Sequence, residues 1–118
     1  MHDRWWWRRC GGWLGRMEPL EIARVEQAVA GTGWEVVDGQ LVVRYATGSF
    51  VAGVRLVELV AGAAEAANHH PDVTLTYPWV ELRLLTHEVD ALTSADVDLA
   101  LELTELVREH GVEVASGE

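Results

Sequence analysis

The sequence contains no lysine and a single cysteine, Cys10. One thiol cannot form an intrachain disulfide, and a four-cysteine zinc site is ruled out. Both fit a reducing cytoplasm. No apolar run approaches the roughly 20 residues that a membrane-spanning helix needs, so a spanning protein is not expected. Positive charge is scarce and unevenly placed. The net charge is -10, yet residues 1–16 hold Arg4, Arg8, Arg9 and Arg16 against Asp3 alone. That leaves five arginines against eighteen acids in the remainder, a net of -13. Such a surface repels phosphate backbones, which argues against direct nucleic-acid binding. Linkers, low-complexity segments and convincing internal repeats are missing after residue 17.

What is present is a domain-sized chain: 118 residues, 49% hydrophobic and 24% charged. A domain of this length buries roughly two-thirds of its unfolded surface. The segment Arg4-Trp5-Trp6-Trp7-Arg8-Arg9 opens like a secretory signal, but glycines 11, 12 and 15 interrupt the apolar stretch that should follow. Residues 1–16 are expected to be a disordered leader, or an upstream extension with Met17 the start. A membrane-surface role for the Trp/Arg cluster is disfavoured because it lacks a helical apolar stripe. The domain proper is expected over 17–113, with 114–118 as a tail.

From Met17 the hydrophobic period alternates between 3.6 and 2. Residues 18–30 read as a helix with Pro19 near its first turn and Leu20, Ala23, Ala28 and Val29 as apolar positions. Gly31 and Gly33 stop it. Asp38-Gly39 between two β-branched runs signals a tight hairpin. Ser49 can cap a helix running to about Asn68, with Phe50, Val54, Val57, Ala61 and Ala64 as its buried stripe. Pro71 ends that helix near His69 or His70. Val73–Tyr77 and Val80–Thr86 read as strands, the second with Val80, Leu82, Leu84 and Thr86 on one face. Thr93 caps the last helix, Asp96 completes a capping-box-like pattern, and Gly111 ends it. The order α-β-β-α-β-β-α implies an α+β domain: a four-stranded antiparallel sheet with helices packed on one face.

Three of the five histidines, His69, His70 and His87, fall at a helix end and a strand end. There a rigid scaffold can hold proton-transfer groups near solvent. Glu65, four residues before His69, can orient a ring or bind a donor on a ligand. Together Glu65, His69-His70-Pro71, Tyr77, His87 and Asp96 form one spaced pattern. It resembles the signature of the pterin-4a-carbinolamine dehydratases. The Leu85-Thr86-His87 and Leu92–Asp96 contexts match as well, as do Gly33-Trp34, Arg44-Tyr45 and Phe50, so the likeness covers about residues 18–110.

The resemblance implies a metal-free, cofactor-free dehydration. A hydroxyl at C4a of a reduced pterin leaves as water while a ring N–H proton is removed, giving quinonoid dihydropterin for reuse by aromatic amino-acid hydroxylases. Carried onto this chain, His69 and His87 would be the acid/base pair. His70 would bind and orient the pterin with a share in proton transfer, and Asp96 would orient a histidine. Glu65 would accept hydrogen bonds from pterin amino or imino groups, and Pro71 would fix the backbone. Trp34 would pack near the ring or in the core. The resemblance also implies a cytoplasmic homodimer or homotetramer. The chain departs from the pattern at Val73, where the family often has an aromatic residue, at Pro78-Trp79 in place of a polar turn, and at Ala91 where glycine is common. These bear on affinity and pterin selectivity rather than reaction class.

Other readings compete. Tyr77 and Trp34 can be plain core aromatics. Asp96 can be a helix cap, a role compatible with catalysis. His2 and His110 belong to tail and surface. A zinc site from His69, His70 and His87 is disfavoured, since adjacent residues rarely aim both rings at one tetrahedral ion. Ser49 lacks the frame of a hydrolase nucleophile, and the glycines form no phosphate loop. The main rival is a binding or assembly protein on the same fold, because relatives of the family serve as a dimerisation cofactor for a transcription factor or as assembly factors for carbon-fixing complexes.

Overall fold

A computed structural model describes residues 18–115. The leader or extension expected at residues 1–16 lies outside the described residues, as do residues 116–118 of the tail. The elements in order are α1 (Ile22–Ala28), β1 (Glu35–Val37), β2 (Gln40–Ala46), α2 (Phe50–Ala67), β3 (Asp72–Leu75), β4 (Trp79–Leu84), α3 (Ser94–Glu109) and β5 (Glu113–Val114). The sheet is antiparallel with strand order β1-β2-β4-β3. The α+β architecture is therefore as the sequence implies, with one addition. β5 pairs with Tyr45 and Ala46 of β2, beside the stretch that β1 leaves open, and Ala115 N–H donates to the Arg44 carbonyl at 2.8 Å. Two residues are too few for periodicity to reveal a strand.

Local chemistry explains most of the boundaries. Asp38 and Gly39 take positive φ, 52° and 79°, as a two-residue hairpin of the primed type requires. The Ser49 side chain accepts the Ala52 N–H at 3.1 Å, opening α2. The Thr76–Trp79 turn is closed by the Thr76 hydroxyl, which donates to the Trp79 carbonyl at 2.7 Å, so β3 stops at Leu75 rather than Tyr77. Tyr77 is consequently 67% exposed and not a core aromatic.

The core lies between the sheet and the helices. Leu41, Val43 and Tyr45 of β2 and Val80, Leu82 and Leu84 of β4 supply the sheet side, all at 2% exposure or less. Leu56 and Val60 of α2 and Leu99, Ala100, Leu103 and Val107 of α3 close over them. Burying each such Val or Leu side chain is worth roughly 1.5–3 kcal/mol.

Two helices bury faces other than those expected. In α1, Val25 and Val29 point inward while Ala23 and Ala28 are exposed. Leu20 N–H bonds the Leu92 carbonyl at 2.8 Å, so Pro19 and Leu20 precede the helix instead of starting it. In α2 the buried row is Gly53, Leu56, Val60, Ala63 and Ala64, and only Ala64 was expected there. Phe50, Val54 and Ala61 lie outside, with Val57 at the margin. Gly53 sets this rotation. A Cβ there would stand 2.5 Å from a Leu75 methyl and 3.2 Å from a Val80 methyl, so the helix approaches the sheet on its glycine side.

The sheet's other face carries charge. Arg44 and Arg83 both bond the Glu81 carboxylate, at 3.0 and 2.8 Å, and the Arg44 guanidinium stacks 3.7 Å from the Trp79 ring centroid. Trp79 thus sits beside Arg44, at the opposite end of β4 from Thr86 and the residues beyond it. Glu81 is covered by these flanking side chains rather than by a packed layer. Desolvation alone would push its carboxyl up, but the two arginine hydrogen bonds outweigh it and hold the pKa below the ordinary 4.5. A depressed folded-state pKa contributes stability that is present above the unfolded value and lost as pH falls through the folded one. Urea midpoints measured from pH 7 downward are therefore expected to drop below about pH 4.5, and Glu81→Gln should flatten that acid limb. An unchanged acid limb in the variant would contradict this role.

Candidate active site

Three chain segments meet at one buried carboxylate. The first is the end of α2. Asn68 adopts the left-handed conformation, φ 54° and ψ 42°, and closes the helix with two returning bonds: Asn68 N–H to the Glu65 carbonyl at 3.2 Å and His69 N–H to the Ala64 carbonyl at 3.1 Å. This is the Schellman arrangement, which turns the chain sharply out of the helix. His69 is thereby swung toward α3, while His70 stays beside α2.

The second segment is the connection after β4. Thr86 continues the buried face of that strand at 1% exposure and pairs with Ala91, enclosing the turn that carries His87. The third is the start of α3, where Thr93 is the N-cap. Its hydroxyl accepts the Ala95 N–H at 3.2 Å, and the Asp96 carboxylate returns to the Thr93 N–H at 2.9 Å. Asp96 has 0% exposure and lies in the first turn of α3.

At this junction His69 Nε2 lies 2.6 Å from Asp96 Oδ1. The other carboxylate oxygen accepts the Thr86 hydroxyl at 2.7 Å, and Thr86 and Thr93 hydroxyls are themselves 2.7 Å apart. Asp96 is both helix cap and histidine partner, the dual role left open by the sequence. The His69 side chain keeps 14% of its surface exposed, so one edge of the ring can meet a ligand.

The remaining candidates fall at different distances from this junction. Glu65 pairs with His70, not with His69: Glu65 Oε2 lies 2.7 Å from His70 Nε2, because the left-handed Asn68 breaks the helical register that would have stacked Glu65 under His69. That pair is open to solvent, with side chains 76% and 53% exposed. Beside it is a cavity of about 170 Å³ walled by Val57, Val60, Ala61, Ala64, Pro71 and Val73. It is smaller than pockets that enclose drug-sized ligands, roughly 300–1,000 Å³, and suits a ring edge or short substituent. His87 is exposed and, among the described residues, has no side-chain partner, yet it directly follows Thr86. Trp34 is 3% exposed within the core, the second of its two expected placements, and a ligand could reach its ring only if the core opened. His110 is exposed, with Nδ1 2.9 Å from the Leu106 carbonyl.

A larger hollow of about 370 Å³ lies around Tyr45, Thr104 and Val107, toward the C-terminal end of α3. It contains none of the histidines, and size alone does not make it the reactive site. Among the described residues no three His, Cys, Asp or Glu side chains are grouped to hold a metal ion. No helix there is long and apolar enough to cross a membrane. The residue that sequence reasoning passed over is Thr86 as a partner of the carboxylate, whereas the Thr93–Asp96 box was expected. A hydroxyl on the otherwise apolar face of β4 was the available signal for Thr86.

Comparison with known proteins brings one family forward. The family model described as pterin 4 alpha carbinolamine dehydratase matches residues 18–106. A protein of Herpetosiphon aurantiacus named "Putative pterin-4-alpha-carbinolamine dehydratase" is 39% identical over 85 residues, spanning 71% of this chain and 88% of its own. One of the same name from Thermomicrobium roseum is 39% identical over 93 residues, spanning 79% and 98%. Among solved structures, the transcriptional coactivator/pterin dehydratase from Brucella melitensis superposes with a TM-score of 0.69 at 23% identity, covering 75% of this chain and 98% of that one, which is a likeness of fold.

The two carboxylates should behave differently on neutralisation. Asp96→Asn is expected to lower folding stability by about 1–3 kcal/mol in urea denaturation, because it opposes an amide to buried donors and weakens the cap. Glu65→Gln, on an exposed pair, should change it by no more than about 0.5 kcal/mol. Equal effects would mean that Asp96 is not held as described.

Proposed function

The chain belongs to the pterin 4 alpha carbinolamine dehydratase family, and from that premise we propose that it eliminates water from 4a-hydroxytetrahydropterins, such as 4a-hydroxytetrahydrobiopterin, to give quinonoid dihydropterin. The observation that carries the reading is the 2.6 Å pairing of His69 with the buried Asp96, on whose other oxygen the residue before His87 also bonds.

On this reading His69 and His87 divide the two proton transfers. One protonates the C4a hydroxyl as its C–O bond breaks, and the other takes the ring N–H proton, so that water leaves and a C=N bond forms. An imidazole carries one nitrogen that can donate and one that can accept a proton, which suits both tasks. Asp96 is a positioning residue acting through His69. Glu65 and His70 bind the pterin at the exposed rim, the carboxylate accepting from ring amino or imino groups, and Pro71 holds the backbone between them and β3. The adjoining apolar cavity, with Val73 rather than an aromatic side chain in its wall, receives a ring edge or substituent. The reaction needs neither metal nor cofactor. It would supply quinonoid dihydropterin to the reductive step that serves aromatic amino-acid hydroxylases in the cytoplasm.

A second reading, a binding or assembly factor on the same fold, is favoured by one observation. The outer side of α2 exposes Phe50, Val51 and Val54 by 50%, 60% and 38%. Neighbouring exposed apolar side chains on one helix are a candidate surface for a partner. A homodimer or homotetramer would cover it as well, and both roles can coexist in one protein.

The deciding measurement is the dehydration rate of enzymatically generated 4a-hydroxytetrahydropterin. The chain is expected to accelerate it, and His69→Ala and His87→Ala are each expected to remove about 10²–10⁴-fold of that acceleration, the usual worth of a positioned proton-transfer group. A folded chain with no acceleration would defeat the catalytic reading and leave the binding role.

A further inference from the structure

We infer that Thr86 is a positioning residue of this site: its hydroxyl fixes Asp96 so that His69 is held with Nε2 protonated and presents Nδ1 to the substrate. The inference rests on the proposed dehydration for its effect on rate, and on geometry alone for its effect on the imidazole.

Thr86 stands where the alternation of β4 asks for an apolar side chain. Val80, Leu82 and Leu84 fill the preceding inward positions at 0% exposure, and Thr86 follows at 1%. A hydroxyl at such depth is unfavourable unless it is bonded. Here it meets two oxygens, Asp96 Oδ2 and Thr93 Oγ1, each at 2.7 Å.

The proton directions follow from a count of donors. Asp96 Oδ2 accepts the Thr93 backbone N–H at 2.9 Å, and a carboxylate has no proton to offer Thr86. The Thr86 hydroxyl therefore donates to Asp96, since otherwise two oxygens would face each other without a proton between them. Its own oxygen is then free to accept, and Thr93 donates to it. The Thr93 oxygen in turn accepts the Ala95 N–H at 3.2 Å. All donors in the relay point toward Asp96. With Oδ2 occupied twice, Oδ1 is reserved for His69, and at 2.6 Å an acceptor-only oxygen requires the proton on Nε2. Nδ1 is left as the nitrogen that takes up or delivers the proton of the reaction.

The same residue steadies the second histidine. Thr86 N–H donates to the Ala91 carbonyl at 3.1 Å, and Ala91 N–H donates back at 3.3 Å, closing the turn that begins with His87. Thr86 thus relates His69, through a carboxylate, to His87, through one peptide bond.

The test compares Thr86→Val, which keeps the shape and removes the donor, with Thr86→Ser, which keeps the donor. Two readouts are taken on the full chain: dehydration kinetics, and the ¹⁵N resonances of the His69 ring, assigned with His69→Gln. Thr86→Val is expected to lower kcat by about 10- to 100-fold, as lost outer-shell partners commonly do, with KM near that of the parent. It should also mix the His69 tautomers, and Thr86→Ser should restore both properties. Should Thr86→Val fail to fold, Thr86→Cys, a far weaker donor of similar size, takes its place with the same expectations. A folded donor-less variant that keeps the Nε2–H tautomer overturns the inference, whatever its rate; so does one with parental kcat. If the parent chain shows no dehydration, the ring resonances still decide, which separates failure of the inference from failure of the dehydratase reading.

Discussion

The Asp96 carboxylate is the interaction on which the remainder of this structure turns. It is fully buried, and a charge without partners at that depth would cost several kcal/mol. Three donors remove the deficit: the Thr93 amide, the Thr86 hydroxyl and the His69 ring. Each comes from a different segment, so satisfying one carboxylate fixes the start of α3, the exit from β4 and the exit from α2 relative to one another. The partner of His69 and the helix cap are one side chain's two oxygens. Fold and site cannot be separated here, and a variant that loses activity at Asp96 has to be checked for folding before its rate is interpreted.

Features encoded within a few residues were legible in the sequence. The Asp38-Gly39 hairpin, the Ser49 cap, the Thr93–Asp96 box and the inward alternation of Val80, Leu82, Leu84 and Thr86 depend on neighbours in the chain, and all appear in the structure. Features decided by tertiary contact were not. Helix α2 carries apolar residues on two sides, one through Phe50, Val54 and Ala61 and one through Gly53, Leu56, Val60 and Ala63. A period of 3.6 fits either row. Close approach at Gly53 selects the second, and a glycine gives almost no hydrophobic signal of its own. Tyr77 lies in the Thr76–Trp79 turn, whose closing bonds shorten β3.

The candidate site shows the same division. The pattern Glu65, His69-His70-Pro71, His87 and Asp96 singled out side chains of which four meet in the structure, and implied the family that the comparisons show. It did not pair them. Helical spacing placed Glu65 with His69, whereas the chain reverses at Asn68 and hands Glu65 to His70 and His69 to Asp96. Adjacent histidines consequently have unlike surroundings: one has a buried partner and 14% exposure, the other a solvated partner and 53%. Two chemically identical rings acquire different partners across the left-handed torsion of Asn68.

That torsion narrows what mutation can explore. Position 68 needs φ near 54°, a region open to glycine, tolerable for asparagine and aspartate, and strained for β-branched side chains. Valine, isoleucine or threonine at this position would strain the reversal that separates His69 from His70. Both pairings therefore depend on the backbone of a residue that takes part in neither.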